Sequence, residues 1–204
     1  MNYLAHLYLA GAPGAFRVGN LAGDFLRGRV ENSGLSPAMQ AGVRLHRHID
    51  SFSNRHTAVV RSRRRFSGDR RRVAGIIVDM AYDHLLCRHW SRFSDQPLGS
   101  FIDETYHELA RHHDALPPRL ARVAPRIRQQ DWLGSYRDLA GIGLALDRMA
   151  MRLSRPETLA GAVADLRAAY DGLERDFLAF FPDAVKCATH WRHEHAIMVR
   201  SGDS

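Results

Sequence analysis

The stretch RVAGIIVDMAYDHLLCRHWSRF, residues 72–93, decides the fold class of this chain. Its large apolar residues recur at spacings of a long and largely buried helix. They are Ile76, Ile77, Met80, Leu85 and Trp90. Elsewhere the helical period again dominates, Ser36-Pro37 is a typical helix start, and residues 156–180 predict one long final helix. We therefore predict an all-α, single-domain helical bundle.

Length and composition fit one domain. A chain of 204 residues can bury a large core, and no repeat or low-complexity linker divides it, so we predict a domain at 1–186 and a polar tail at 187–204. Cys87 and Cys187 lack the spacing of a zinc knuckle or a disulfide framework. No apolar run reaches the roughly 18 residues of a membrane span, and no basic secretory start is present. These features predict a cytoplasmic protein without membrane contact.

Four pairs of polar residues with i,i+4 spacing lie in the first 84 residues. They are Asn2 with His6, Asn20 with Asp24, His46 with Asp50, and Asp79 with Asp83. This spacing places both members of a pair on one helix face. The last pair is followed directly by His84, and burying three ionisable groups needs a compensating charge such as a metal ion. For any single member, the alternative is a hydrogen-bonded structural residue.

The candidate metal ligands combine carboxylates and imidazoles without thiolates. They are Asp24, His46, Asp50, Asp79, Asp83 and His84. Such a set suits Mn²⁺, Mg²⁺, Fe²⁺ or Zn²⁺, and an ion of this kind favours phosphoester hydrolysis because it polarises a phosphoryl oxygen. His6 and His89 are further imidazoles, suited to binding phosphate or protonating a leaving oxygen.

The positive charge of the chain is almost entirely arginine. The net charge is +7, and Lys186 is the only lysine. Seven arginines fall within residues 61–72, a stretch named here the arginine segment: Arg61, Arg63, Arg64, Arg65, Arg70, Arg71 and Arg72. Because arginine grips carboxylates and phosphates bidentately, we predict that this segment binds an acidic macromolecule. The alternative is a solvated helix face without a specific ligand.

Four stretches of the chain resemble the acyl carrier protein phosphodiesterase family. They read MNYLAHLYLA at 1–10, GNLAGDFLRG at 19–28, HRHIDSF at 46–52 and DMAYDHLLCRHWS at 79–91. The resemblance implies an all-helical hydrolase of the HD type that uses Mn²⁺ or Mg²⁺. Its reaction would remove the phosphopantetheine arm from holo acyl carrier protein, an acidic partner that suits the arginine segment, and it involves no nucleic acid.

The same resemblance places the motif residues of the family on this chain. We predict that the metal is held by four of them: Asp24, His46, Asp83 and His84. Asp50 and Asp79 would complete the ligand shell or orient the imidazoles. Asn20 would hydrogen-bond a phosphoryl oxygen, and His6 or His89 would protonate the leaving serine oxygen.

Two alternatives stay open at the level of sequence. An HD-type phosphohydrolase acting on a nucleotide or another small phosphoester would share the site but would not need a broad arginine segment. A non-enzymatic helical protein that binds nucleic acid is favoured only by the sequence pI of about 10.1. It would leave the four i,i+4 pairs unexplained.

Overall fold

The computed structural model describes residues 2–195, which contain helices and connecting segments but no strand. Eleven α-helices lie in this range: α1 Tyr3–Ala10, α2 Ala15–Ala22, α3 Pro37–Arg55, α4 Thr57–Arg64, α5 Ala74–Arg88, α6 Leu98–Arg111, α7 Pro118–Gln129, α8 Trp132–Ser135, α9 Leu139–Ala150, α10 Val163–Ala168 and α11 Tyr170–Glu194. The prediction of an all-α fold is confirmed, whereas its HD-type detail stays a prediction. Over residues 2–195, no helix has the length and apolar character needed to cross a membrane.

Helix α5 is the long, largely buried helix that the sequence predicts, but it covers residues 74–88 of the predicted 72–93 and is followed by a 3-10 turn at Trp90–Arg92. It packs against α1, α4, α9 and α11, and the large apolar side chains of its middle turns are buried. Neighbouring helices cover most of its circumference, so apolar residues occupy nearly all of its faces rather than a single stripe. Asp83, on the same helix, is 0% exposed, so its carboxylate must find partners inside the protein.

The C-terminal part differs from the prediction in two ways. The single final helix expected from Pro156 is wrong: a 3-10 turn, a break at Gly161 and α10 precede α11. Gly161 adopts φ +71° and its N–H donates to Asp147 at 2.8 Å, a backbone conformation that ends a helix. Residues 187–194 of the predicted polar tail belong to α11, which continues to Glu194 and buries Trp191. Residues 196–204 of that tail lie outside the described residues.

Helices α2 and α3 approach each other so closely that only glycine fits between them. A Cβ atom added to Gly19 would lie under 3.0 Å from the backbone of Met39, and one added to Gly42 would lie under 3.0 Å from the backbone of Phe16. A Cβ on Gly23 would meet the ring of His46 in the same way. This glycine seam brings the segment that follows α2, including Asp24, onto the surface of α3.

We expect Gly42→Ala to destabilise the protein by about 1–3 kcal/mol, since the added methyl group meets backbone atoms that cannot rotate away. Gly75 on α5 provides the matched control, because its nearest neighbour to an added Cβ is the side-chain tip of Arg63 at 3.8 Å. Gly75→Ala should leave stability unchanged or raise it by up to about 1 kcal/mol. Urea unfolding of both variants measures the difference, and equal midpoints would show that the α2–α3 contact is adaptable.

Candidate metal centre

Three side chains from two helices form a cluster at the α1–α3 contact. His6 lies on α1, and His46 and Asp50 lie one turn apart on α3. His6 Nε2 is 3.1 Å from Asp50 Oδ1, and His46 Nε2 is 3.2 Å from Asp50 Oδ2. One ligand atom from each residue falls within 4.8 Å of the others, and no other such His/Cys/Asp/Glu group occurs in residues 2–195. The chain therefore has one candidate metal-binding group in its described part.

Asp24 extends this cluster on its open side. It lies in the 3-10 turn Gly23–Phe25, directly after α2, and its Oδ1 is 3.5 Å from His46 Nε2. The side chains of Asp24 and Asp50 are 39% and 37% exposed, whereas those of His6 and His46 are 1% and 4% exposed. The carboxylates thus face solvent and the imidazoles close the inner wall, so a phosphate group can reach the cluster from outside.

The electrostatics of the cluster favour a bound cation. Burial lowers the pKa of His6 to about 4. Burial alone would also lower the pKa of His46, but hydrogen bonds to Asp24 and Asp50 outweigh it and raise this pKa to about 9. Hydrogen bonds from the two imidazoles hold the pKa of Asp50 well below its ordinary range, against the effect of burial. Asp50 therefore contacts both imidazoles, and Asp24 contacts that of His46.

Several buried polar atoms around the cluster have no hydrogen-bond partner within the described part of the chain. They are Nδ1 of His6, Nδ1 of His46, and both side-chain amide atoms of Asn20. Asn20 is 0% exposed, and leaving such groups unpaired is costly. An ion with ordered water molecules would supply partners of this kind. Together with two imidazoles and two carboxylates, these atoms fit a divalent metal site.

The structure places Asp83 in a different role. Its carboxylate accepts hydrogen bonds from the backbone N–H groups of Leu4 at 2.8 Å and Ala5 at 3.0 Å. These groups belong to the first turn of α1, which Asn2 does not cap with its side chain. Burial raises the pKa of Asp83 to about 7, although the two backbone hydrogen bonds lower it. Asp83 therefore caps α1 from within the core and lies outside the metal-binding group.

The two predicted histidines of α5 are also held elsewhere. His84 lies 2.9 Å from the carbonyl oxygen of Tyr136 through Nδ1 and 3.2 Å from the hydroxyl of Tyr170 through Nε2. His89 pairs with Glu174 at 2.7 Å. It follows the last residue of α5, and ten residues of helix, a rise of about 15 Å, separate it from Asp79. Neither histidine belongs to the metal-binding group.

Asp79 keeps a place near the cluster. Burial raises its pKa, and the charge of Asp50 adds to this while the charge of Arg63 opposes it. The prediction that Asp79 orients the site stays a prediction. His6 and Asp50, predicted as a proton donor and an accessory carboxylate, are central members of the cluster. The i,i+4 spacing of Asp50 with His46 was the sequence signal for Asp50, whereas His6 was singled out through its spacing with Asn2.

Most of the arginine segment is engaged within the protein. Arg61 and Arg65 pair with the buried carboxylate of Asp176 on α11, and the Arg65 Nε atom lies 2.9 Å from it. Arg63 donates to Asn54 at 2.7 Å. Arg70 pairs with Asp165 at 2.9 Å and donates to neighbouring backbone carbonyls, including that of Thr158 at 2.8 Å. Within residues 2–195, the exposed members whose side chains make no hydrogen bond or ion pair are Arg64, Arg71 and Arg72.

The sequence is similar to known proteins over nearly the whole chain. The sequence model of a family described as acyl carrier protein phosphodiesterase matches residues 1–184. A protein of Escherichia coli O139:H28 (strain E24377A / ETEC) with the same description is 38% identical over 191 residues, which covers 93% of this chain and 98% of the relative. One of Serratia proteamaculans (strain 568) is 36% identical over 189 residues, covering 92% and 97%. No solved structure gives a significant match.

Proposed function

The chain belongs to the acyl carrier protein phosphodiesterase family, and we propose that it hydrolyses the phosphodiester bond between phosphopantetheine and a serine of holo acyl carrier protein. The products are apo carrier protein and phosphopantetheine. The observation that carries this proposal beyond the family name is the cluster of His6, His46 and Asp50, because it combines buried imidazoles with a carboxylate open to solvent. Such a site admits a phosphate group that is attached to a large protein.

The cluster would hold a divalent metal ion through His6, His46 and Asp50, with Asp24 beside them. This set replaces the predicted one, since Asp83 and His84 have partners elsewhere. A bound ion of this kind polarises a phosphoryl oxygen and makes a bound water more acidic. Two imidazoles suit a transition metal better than Mg²⁺, which prefers oxygen ligands. Of the predicted ions, Mn²⁺ and Fe²⁺ are therefore proposed ahead of Mg²⁺.

The protein itself supplies position and access. Asp50 contacts the Nε2 atoms of both imidazoles through different oxygens, so the donor atoms that would hold an ion face one another. The His6 and His46 rings stack with centroids 3.8 Å apart, which keeps both at one wall of the site. Asn20 lies on α2 one turn before Asp24 and is suited to hydrogen-bond an ordered water rather than the phosphoryl oxygen predicted, because it is fully buried. In this proposal neither His6 nor His89 acts as the proton donor.

Incubation with holo acyl carrier protein and Mn²⁺, followed by intact-protein mass spectrometry, tests the reaction. We expect the carrier protein to lose the mass of phosphopantetheine, and a chelator to stop this loss. Parallel reactions with free nucleotides test the alternative of a small-phosphoester hydrolase. If nucleotides are hydrolysed and a folded, metal-loaded protein leaves holo carrier protein unchanged, the proposed substrate is wrong.

The exposed members of the arginine segment are proposed to dock the acidic carrier protein. We expect the triple replacement of Arg64, Arg71 and Arg72 by glutamate to raise KM for holo carrier protein by about tenfold, because surface charge mainly steers association. Added salt should raise KM of the parent and change KM of the variant much less.

The control for this variant carries the same charge change on α7. Arg119, Arg122 and Arg126 are exposed there, and their side chains make no hydrogen bond or ion pair within the described residues. Replacing these three by glutamate should leave KM near the parent value. Equal increases in KM for both triple variants would mean that net charge, and not the arginine segment, governs association.

A further inference from the structure

A narrow groove of about 200 Å³ lies between α1, α8 and α9. Its walls include Tyr3, Gln130, Trp132, Leu144, Arg148 and Arg152. The geometry points to this groove as the binding site for the pantetheine arm of the substrate, while the phosphodiester lies at the His6–His46–Asp50 cluster. This inference rests on the proposed function and adds the residues that would recognise the pantetheine arm.

Tyr3 connects the groove to the cluster. Tyr3 and His6 are three residues apart on α1 and therefore lie on one helix face. The Tyr3 ring stacks on Phe25 with centroids 5.9 Å apart, and Phe25 directly follows Asp24. Burial raises the pKa of Tyr3 to about 12, the charge of Asp24 adds to this, and the charge of Arg152 opposes it. The Tyr3 side chain thus stands between the carboxylate side of the cluster and the basic edge of the groove.

The walls of the groove match the mixed chemistry of a pantetheine arm. Trp132 lies nearly parallel to Tyr3, at 6.5 Å and 12°, and Leu144 is 61% exposed, so apolar surface is available for the methyl groups of the arm. Gln130 Oε1 accepts from Trp132 Nε1 at 3.0 Å and from Arg148 at 3.3 Å. Polar groups that suit the amides and hydroxyl of the arm therefore border this apolar surface.

The charge and the size of the groove limit which molecules can bind there. Two arginines and no acidic residue line the groove, which suits a neutral chain attached to an anionic phosphate. Its volume is below the roughly 300–1,000 Å³ of sites for drug-sized ligands, so a thin chain fits better than a ring system. A larger cavity of about 560 Å³ borders α6 and α7, but none of its lining residues belongs to the segments that carry the cluster.

Fluorescence of Trp132 tests the groove without any catalysis. In the presence of chelator, titration with pantetheine, which has no phosphate, should change the fluorescence of the protein and reach saturation. The change should disappear in Trp132→Phe, whose remaining tryptophans, Trp90 and Trp191, are buried. Inorganic phosphate alone should give no such change. A saturable response to phosphate only, or a pantetheine response that persists in Trp132→Phe, would overturn the inference.

A pair of tryptophan substitutions tests the same groove during turnover. Leu144→Trp should partly fill the groove. The measured quantity is kcat/KM for holo carrier protein divided by kcat/KM for bis(p-nitrophenyl) phosphate, a small diester that has no arm to place. We expect Leu144→Trp to lower this ratio by about tenfold. Met151 is 82% exposed at the end of α9 and does not line the groove. Met151→Trp should leave the ratio unchanged, and equal ratios for both variants would contradict the inference.

The two tests separate the groove from the reaction. If the parent protein binds pantetheine at Trp132 but does not cleave holo carrier protein, the proposed function fails while the groove remains a binding site for the arm. If the parent cleaves holo carrier protein, but Trp132→Phe does not alter pantetheine binding and Leu144→Trp does not alter the ratio of kcat/KM values, the reaction stands and the arm binds elsewhere.

Discussion

Asp50→Asn is expected to lower kcat/KM for holo carrier protein by more than about 100-fold. Replacing a residue that only orients a metal ligand lowers activity by at most about 100-fold, and Asp50 is proposed as a ligand itself. Asp50 contacts the Nε2 atoms of both His6 and His46, so its carboxylate serves the whole cluster. An asparagine keeps the shape of the side chain but loses the charge, and its amide nitrogen cannot bind a cation. Metal affinity should therefore fall together with activity.

Steady-state kinetics and Mn²⁺ titration by calorimetry measure these two effects. Asp183→Asn is the matched control, because Asp183 also pairs with a histidine, His56 at 3.5 Å, but outside the cluster. It should retain the activity and the metal affinity of the parent. If Asp50→Asn binds Mn²⁺ as tightly as the parent, the cluster is not the metal site.

Asp83→Ala is expected to destabilise the metal-free protein by about 2–4 kcal/mol. Loss of a helix cap costs about 0.5–2 kcal/mol, and each buried N–H group left without an acceptor costs about 1–3 kcal/mol, part of which local relaxation recovers. The N–H groups of Leu4 and Ala5 would lose their acceptor in this way. The loss of stability should appear in chelator, because a cap acts without any metal.

Urea unfolding in chelator measures this effect, with Asp138→Ala as the control. Asp138 occupies the N-cap position of α9 but makes no side-chain cap hydrogen bond and is exposed, so its replacement should change stability by less than about 0.5 kcal/mol. If Asp83→Ala unfolds like the parent in chelator but loses the stabilisation that Mn²⁺ gives, Asp83 is a ligand as the sequence predicts.

The fold class was predictable because it depends on a local period. Apolar residues repeat along each helix, and α5 shows this most clearly between Ile76 and Leu85. The division of the last predicted helix was not predictable, since Gly161 with its positive φ and a one-residue break at Ala169 interrupt an otherwise continuous apolar pattern.

The candidate site was only partly predictable from spacing. His46 and Asp50 share one face of α3 and meet as their i,i+4 spacing predicts. Asp83 and His84 are adjacent in sequence, so they point about 100° apart around α5 and contact different segments. The partner of Asp83 is 79 residues away at Leu4, and no local pattern indicates that contact.

The charge contacts of the arginine segment were likewise not predictable from local sequence. Seven arginines predict a basic surface, but Asp176 lies 115 residues from Arg61 in sequence and takes up the charge of two of them. Counting charges along the chain cannot reveal such a pairing. The distinction between structural and exposed arginines therefore required the three-dimensional contacts.

The glycine seam between α2 and α3 has a consequence for ion size. Since Gly23 lies against His46 and directly precedes Asp24, the separation of these helices fixes how far the Asp24 carboxylate stands from the imidazole. Metal–oxygen distances differ by only about 0.2–0.6 Å between Mg²⁺ and Ca²⁺. A Cβ atom on Gly19 or Gly42 would lie 2.2 Å from a backbone oxygen of the other helix, so the helices would have to separate by more than this difference. We therefore expect substitutions there to shift the preference of the site toward larger ions.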